Sequence, residues 1–226
     1  MVGPGAEDLS ITNNFYRLEV PIYTGKRMAA HRVQDMMRLM ARRIGRIAES
    51  LSDDEVEEFV EEILRARRIY VMGAGRSGLV AKAFAMRLMH LGLSSFVVGE
   101  TITPAMSVGD LIVVFSGSGR TKTVADIAET SKEIGGRLAL ITSNRDSRIG
   151  RIADVIVIIE HYRDEVKDDG AEFEIRQMMG EHKSFAPLGT LFETAAMIFA
   201  DGVISRLMEI TQIDEKALKD RHANIE

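Results

Sequence analysis

Five short apolar runs between residues 69 and 159 constrain the fold of this chain more than any other feature. They are residues 69–72, 95–99, 111–115, 138–142 and 155–159. Each run has the length of a buried strand, and intervening segments such as 79–91 and 123–134 carry apolar residues at helical spacing. Continuous apolar strands that alternate with helices are typical of parallel sheets. The sequence therefore predicts an α/β fold, a doubly wound five-stranded parallel sheet with helices on both faces.

Charge and cysteine content exclude several classes of protein. The 226 residues include 29 basic and 34 acidic side chains, and the net charge of -5 disfavours nucleic acid as a partner. The absence of cysteine excludes disulfides, thiolate nucleophiles and cysteine-ligated metal centres. The histidines show no metal-ligand spacing, so no metal is expected. Because no apolar stretch has the length of a membrane span and no leader pattern is present, we expect a cytoplasmic protein without membrane contacts.

Two helices are predicted before the first strand. The first should present a stripe of six apolar residues at helical spacing: Val33, Met37, Met40, Ile44, Ile47 and Leu51. This stripe should pack against the sheet domain or another subunit. Ser52 and Glu55 form a capping-box pattern, which predicts a second helix to about residue 67. That helix should bury Val56, Phe59, Val60, Ile63 and Leu64.

The domain division follows from the same patterns. Residues 1–27 have no clear periodicity and are expected to form an extended lead-in. We expect residues 1–51 to form an extension with its amphipathic helix, and residues 52–226 to form the main domain. A charged segment at about 161–186 interrupts the pattern before a long helix resumes at Thr190, and it is predicted to be an insertion or lid.

Two glycine-rich loops follow predicted strands. Residues 73–78, GAGRSG, match the dinucleotide pattern, and Glu100 lies where an acidic residue could bind a ribose, so a nicotinamide-dependent enzyme is one interpretation. Residues 116–121, SGSGRT, add three hydroxyls to bare backbone amides at a predicted helix N-terminus. Such a loop suits the acceptor oxygens of a phosphate monoester. The alternative is a tight turn in which a serine or threonine caps the helix.

Several motifs together resemble the sugar isomerase (SIS) domain family, and within it the 6-phospho-3-hexuloisomerases. They are GAGRSG at 73–78, AMRLMHLG at 85–92, GETITP at 99–104, SGSGRT at 116–121, PLGTLFE at 187–193 and RHANIE at 221–226. The resemblance implies an SIS-like fold preceded by N-terminal helices. It also implies isomerisation between 3-hexulose 6-phosphate and fructose 6-phosphate by enediolate proton transfer, in the ribulose monophosphate pathway, without a cofactor.

The resemblance also implies roles for particular residues. Glu193 would carry the proton between carbons, and His222 would serve ring or hydroxyl protons. The implied substrate-binding residues are Arg76, Ser77, Ser116, Gly117, Ser118, Gly119, Arg120 and Thr121. Members of the family assemble as tetramers with active sites near subunit boundaries, so a homotetramer is expected, with His222 acting in its own or a neighbouring subunit.

Other interpretations of the same residues remain open. Thr190 and Glu193 also form a capping-box pattern, and His222 could be a charge at a helix end. His90, at a predicted helix C-terminus, is explained by packing and by the helix dipole. The alternative functions are another phosphosugar aldose–ketose isomerase, a non-catalytic phosphosugar-binding SIS protein, and the nicotinamide-dependent oxidoreductase.

Overall fold

The computed structural model describes residues 33–159 and 190–222. The predicted lead-in 1–27 and insertion 161–186 therefore lie outside the described residues. The helices are α1 (Val33–Ser50), α2 (Asp53–Arg65), α3 (Gly75–His90), α4 (Lys122–Glu133), α5 (Thr190–Thr211) and α6 (Glu215–Asp220). The strands are β1 (Ile69–Gly73), β2 (Ser95–Val97), β3 (Leu111–Phe115), β4 (Arg137–Thr142) and β5 (Val155–Ile158).

The five strands form one parallel sheet in the order β2-β1-β3-β4-β5. This confirms the predicted doubly wound parallel sheet. Because β1 connects outward to β2 while β3 lies on its other side, the order reverses between β1 and β3. Ligands of doubly wound proteins bind outside the carboxyl ends of the strands at such a reversal. Gly73 and Phe115 pair in register there, so the two glycine-rich loops emerge side by side.

Successive strand residues point to opposite faces of the sheet, and each face has its own apolar core. On one face Val71, Val113 and Ile141 pack against α2, α3 and α5, with Ile47 from α1. On the other face Met72, Val114 and Leu140 pack against α4. This arrangement explains why the strands are apolar on both faces.

The N-terminal helices differ from the prediction in part. Ile47 is buried, but Val33 and Met37 are 73% and 65% exposed, because α1 packs on its own chain only towards its C-terminal end. In α2, Phe59, Val60 and Ile63 are buried as predicted. The prediction was wrong for Leu64, which is 38% exposed on the outer side of the helix.

Only one of the two hydrogen bonds of the predicted capping box forms at the start of α2. The Ser52 hydroxyl accepts a hydrogen bond from the Glu55 amide at 3.4 Å. The Glu55 carboxylate, however, accepts a bond from the Ile158 amide of edge strand β5 at 3.1 Å and pairs with Arg145. The predicted return bond to the cap is thus replaced by a tertiary contact that ties α2 to β5.

The amino edge of the sheet carries a buried carboxylate with many partners. Asp110, which is fully buried, accepts hydrogen bonds from Arg67 at 3.2 Å, from Arg68 at 2.9 and 3.2 Å and from the Ser107 amide at 2.8 Å. Burial alone would raise the pKa of Asp110, but these hydrogen bonds outweigh burial and hold it below its ordinary value. Asp110 thereby joins β1 to β3 at the edge opposite the glycine-rich loops.

Candidate active site

The glycines of the first loop allow the start of α3 to approach β1 closely. A Cβ on Gly73 would lie 2.7 Å from the Ser77 carbonyl, and one on Gly78 would lie 2.8 Å from the Gly73 oxygen. Gly75 adopts a φ of +55°, which favours glycine. Backbone packing therefore explains this loop, and its pattern does not by itself define a dinucleotide site.

The acidic residue of the dinucleotide interpretation has another partner. The Lys82 ammonium, from α3, lies 2.6 Å from the Glu100 carboxylate, and both side chains are about half exposed. Glu100 thus belongs to a surface ion pair, which weakens the case for a ribose-binding carboxylate.

The second loop folds into a tight turn between β3 and α4. The Gly119 amide donates to both the carbonyl and the hydroxyl oxygen of Ser116, each at 3.1 Å. Gly119 has a φ of +61°, and a Cβ there would overlap the Ser147 hydroxyl. Ser116 and Gly119 therefore shape the loop from within, and the residues between and after them form its outer surface.

Thr121 lies at the N-cap of α4, but its side chain makes no capping hydrogen bond. The capping alternative for this threonine is therefore wrong. Among the described residues, the amides of Gly117, Ser118 and Thr121 form no hydrogen bond. A helix N-terminus with unpaired amides and nearby hydroxyls is suited to bind a phosphate group.

The end of β4 supports this loop through residues that the sequence analysis missed. The Thr142 hydroxyl donates to the Gly117 carbonyl at 3.2 Å, and the Ser143 amide donates to the same oxygen at 3.1 Å. The Ser143 hydroxyl oxygen is buried without a hydrogen-bond partner among the described residues. The signal in the sequence was the polar run TSN directly after an apolar strand at the same sheet edge.

Helix α5 brings Glu193 to the two loops. Phe192 packs so closely on Gly117 that a Cβ there would lie 3.2 Å from the ring, which places the first turn of α5 against the second loop. Glu193 lies in that turn, and its Oε2 is 3.8 Å from Nε of Arg76 in the first turn of α3. The Glu193 side chain is 15% exposed and that of Arg76 is 54% exposed.

The Glu193 carboxylate is poorly satisfied. Its Oε2 is buried and has no hydrogen-bond partner among the described residues. Burial raises the pKa of Glu193, and the residue's own amide and the charge of Arg76 oppose this shift only in part. The Glu193 carboxylate accepts a hydrogen bond from the amide of Glu193 itself. The residue before α5 lies outside the described residues, so the capping-box alternative stays open. A largely buried carboxylate with one oxygen free of hydrogen bonds and a raised pKa is suited to act as a general base.

His222 lies away from this group of residues in its own chain. Its ring centroid is 5.0 Å from that of His90, at the C-terminal end of α3, whereas Arg76 and Glu193 meet at the N-terminal end of that helix. The helical rise separates residues 76 and 90 by about 21 Å. The structure therefore brings together Arg76, Ser77, the 116–121 loop and Glu193, but not His222.

No described helix combines the length and apolar composition needed to cross a bilayer. The described histidines, aspartates and glutamates include no group of three or more arranged to hold a metal ion.

Comparison with known proteins agrees with the fold. The SIS domain model matches residues 62–167. An uncharacterized protein of Aeropyrum pernix is 44% identical over 213 residues, which cover 92% of this chain and all of the relative. The 3-hexulose-6-phosphate isomerase of Bacillus subtilis is 40% identical over 176 residues, which cover 78% of this chain and 89% of that enzyme.

A solved structure shows the same similarity. It is a hypothetical protein of Methanococcus jannaschii, for which a molecular function of 3-hexulose-6-phosphate isomerase was inferred. The two chains superpose with a TM-score of 0.70 at 31% identity, over 85% of this chain and 99% of the other. A doubly wound parallel sheet with glycine-rich loops after β1 and β3 belongs to the class of α/β domains that bind ligands at the carboxyl ends of the strands. Within that class, this chain belongs to the SIS domain family.

Proposed function

We propose that this protein is a phosphosugar isomerase that interconverts 3-hexulose 6-phosphate and fructose 6-phosphate. The observation that carries the proposal is the largely buried Glu193 carboxylate, whose Oε2 has no hydrogen-bond partner among the described residues, beside Arg76 and a loop suited to phosphate. Similarity to proteins named 3-hexulose-6-phosphate isomerase, at 40% and 34% identity in Bacillus subtilis and Methanocaldococcus jannaschii, supports this choice of substrate. The reaction belongs to the ribulose monophosphate pathway, and we propose that it takes place in the cytoplasm.

The reaction moves a carbonyl group from C3 to C2 of the sugar. The Glu193 carboxylate removes the proton from C2, and the electron pair of that bond forms the C2–C3 double bond of an enediolate. The carboxylic acid then returns the proton to C3, and the double bond reforms between C2 and O2. One proton also leaves O2 and one is added to O3, so the sum of atoms is unchanged and no redox cofactor takes part. A base with a raised pKa is matched to this proton transfer near neutral pH.

The remaining residues bind and orient the substrate. The outer hydroxyls and amides of the 116–121 loop hold the phosphate group at the N-terminus of α4. The Arg76 guanidinium, beside Glu193, adds positive charge where the enediolate oxygens develop negative charge. Ser77 lies in the first turn of α3, at the same end of that helix, and also binds the substrate.

His222 can act on the substrate only if it reaches the active site of a second copy of the chain. Because it lies at the far end of α3, we propose that it serves the ring or hydroxyl protons of a substrate bound in a neighbouring subunit. The assembly proposed is a homotetramer, as the family resemblance implies.

A panel of hexulose, pentose and heptose phosphates tests the function. We expect fructose 6-phosphate to form from 3-hexulose 6-phosphate, with deuterium from heavy water incorporated at C2 or C3. Incorporation at C1 would indicate an aldose–ketose isomerase instead. Binding of phosphosugars without turnover would indicate a phosphosugar-binding protein, and the absence of both would refute the proposal.

A further inference from the structure

The C-terminal segment packs on the end of α3 through two consecutive residues. The His222 ring lies 5.0 Å from the His90 ring, with 33° between their planes. Nη1 of Arg221 donates to the His90 carbonyl at 3.1 Å. The Arg221 guanidinium also lies over Gly92, where a Cβ would be 3.0 Å away. His90 therefore contacts this segment through both its ring and its backbone.

His90 is among the most buried polar residues of the described chain, with 2% of its surface exposed. Burial lowers the pKa of His90, and the nearby His222 and Arg87 lower it further. This direction opposes the helix dipole, which favours a cation at a C-terminus, so the dipole explanation for His90 is not supported. A neutral imidazole can pack against a second ring without charge repulsion.

The His222 side of this ring contact faces a cavity and the solvent. A cavity of about 520 Å³ borders the two histidines and is also lined by Arg87, Asp201 and Lys219. His222 itself is exposed, whereas His90 lies beneath it. The exposed His222 ring therefore packs on the buried His90 ring.

We propose that His90 is a positioning residue that, with Arg221, holds His222 in the place from which it acts on substrate in another copy of the chain. This inference rests on the proposed function, because it requires His222 to take part in the reaction. His90 is too far from Glu193 in its own chain to act there, and its ring is covered by His222. Its effect on the reaction therefore passes through His222.

A double-mutant cycle tests the inference in the full-length protein. His90→Phe keeps a ring of similar size but removes the imidazole, and His222→Asn removes the second ring. We expect His90→Phe to lower kcat by about 10- to 100-fold through misplacement of His222, with little change in KM. In the His222→Asn background, the same substitution should have no further effect on kcat. Met89→Leu, at the neighbouring exposed position, is the matched control and should leave kcat unchanged.

Three results would overturn the inference. One is a wild-type kcat for His90→Phe. Another is an equal loss of kcat in both backgrounds, which would indicate a merely structural role. The third is a wild-type kcat for His222→Asn, which would leave the isomerase proposal intact as long as Glu193→Gln is inactive. Absence of turnover in the wild-type protein would instead refute the proposed function, and the inference with it.

Discussion

A carboxylate lies at each edge of the sheet, Asp110 at the amino edge and Glu193 of α5 near the carboxyl edge, and their surroundings shift their pKa values in opposite directions. At the amino edge, Asp110 accepts hydrogen bonds from two arginines and a backbone amide, and its pKa is lowered. At the carboxyl edge, Glu193 Oε2 has no hydrogen-bond partner among the described residues, and burial raises its pKa. Asp110 stabilises the fold, whereas Glu193 is held in a state that costs stability.

This difference separates a carboxylate that contributes to stability from one that is a candidate for catalysis. For Asp110 the lowered pKa means that ionisation favours the folded chain, because its hydrogen bonds outweigh the effect of burial on the ionised form. A largely buried carboxylate with a raised pKa, such as Glu193, is a candidate for proton exchange with a ligand. Substitutions at the two edges should therefore separate stability from activity.

The largest effect is expected for Glu193→Gln. The amide cannot accept a proton from carbon, so kcat should fall by about 10² to 10⁴. Because the raised pKa means that the ionised group opposes folding near neutral pH, the melting temperature should stay equal or rise. The measurements are the rate of fructose 6-phosphate formation, deuterium incorporation and thermal unfolding.

Glu209→Gln is the matched control, since Glu209 is exposed on the same helix at its other end. It should leave both kcat and deuterium incorporation unchanged. Normal turnover in folded Glu193→Gln protein would contradict the catalytic role, and the base would then have to be sought at His222.

Asp110→Asn should produce the opposite result. Loss of the charge leaves Arg67 and Arg68 without their buried partner, and we expect the free energy of unfolding to fall by about 3 kcal/mol. The kcat of the folded variant at moderate temperature should stay near wild type, because Asp110 lies at the opposite edge. Denaturant unfolding and steady-state kinetics check the two expectations; a large loss of kcat with unchanged stability would overturn the comparison.

The lowered pKa of Asp110 also predicts a pH dependence. Its contribution is present above the unfolded-state pKa of about 3.9 and is lost as the pH falls through the lower folded-state value. Wild-type stability should therefore decline in this acidic range, and the Asp110→Asn variant should lack that part of the decline.

Arg76→Met sharpens the description of the carboxyl edge. Loss of the guanidinium should raise KM for the sugar phosphate by about tenfold or more. Because the charge of Arg76 lowers the pKa of Glu193, the variant should lose kcat/KM at a higher pH than wild type as the solution is acidified. The pH dependence of kcat/KM measures this shift, and Arg151→Met, at an exposed position, is the control. A shift to lower pH would be inconsistent with this electrostatic arrangement.

Smaller effects are expected for the outer hydroxyls of the second loop. Ser118→Ala and Thr121→Val should each raise KM by about threefold to tenfold, because each removes one hydrogen bond to a charged phosphate. Inhibition by inorganic phosphate should weaken in parallel. Thr130→Ala, towards the other end of α4, should change neither value. Unchanged constants in both loop variants would show that the phosphate binds elsewhere.

Met37→Lys, near the start of α1, should have the smallest effect on the chain itself. Met37 is 65% exposed, so the substitution should change the free energy of unfolding by no more than about 0.5 kcal/mol. If the apolar stripe contacts another subunit, the assembly should dissociate at a higher protein concentration than wild type, as measured by analytical ultracentrifugation. Identical sedimentation would place that interface elsewhere.

Local patterns predicted much of this structure because they depend on neighbours in sequence. The strands at 111–115 and 155–159 were predicted within one residue of their observed ends. The second predicted strand was longer than β2, which pairs over only three residues at the edge of the sheet. The position of both glycine-rich loops between a strand and a helix was predicted correctly, because these patterns are contiguous in sequence, and phosphate binding by the 116–121 loop stays a prediction.

Contacts between distant segments could not be predicted in the same way. Glu55 bonds to β5 instead of completing its capping box, and Phe192 packs on Gly117, because helices that cover the sheet meet strands remote in sequence. The sequence alone determined the α/β class and the places of the two loops, since each is a local pattern, whereas the catalytic role of Glu193 was implied by a matched motif and stays a proposal. Only the tertiary structure decided that Glu193 Oε2 has no hydrogen-bond partner among the described residues while Asp110 accepts several hydrogen bonds, and that His222 lies by His90. The reason is that burial and hydrogen bonding depend on which surfaces the fold brings together.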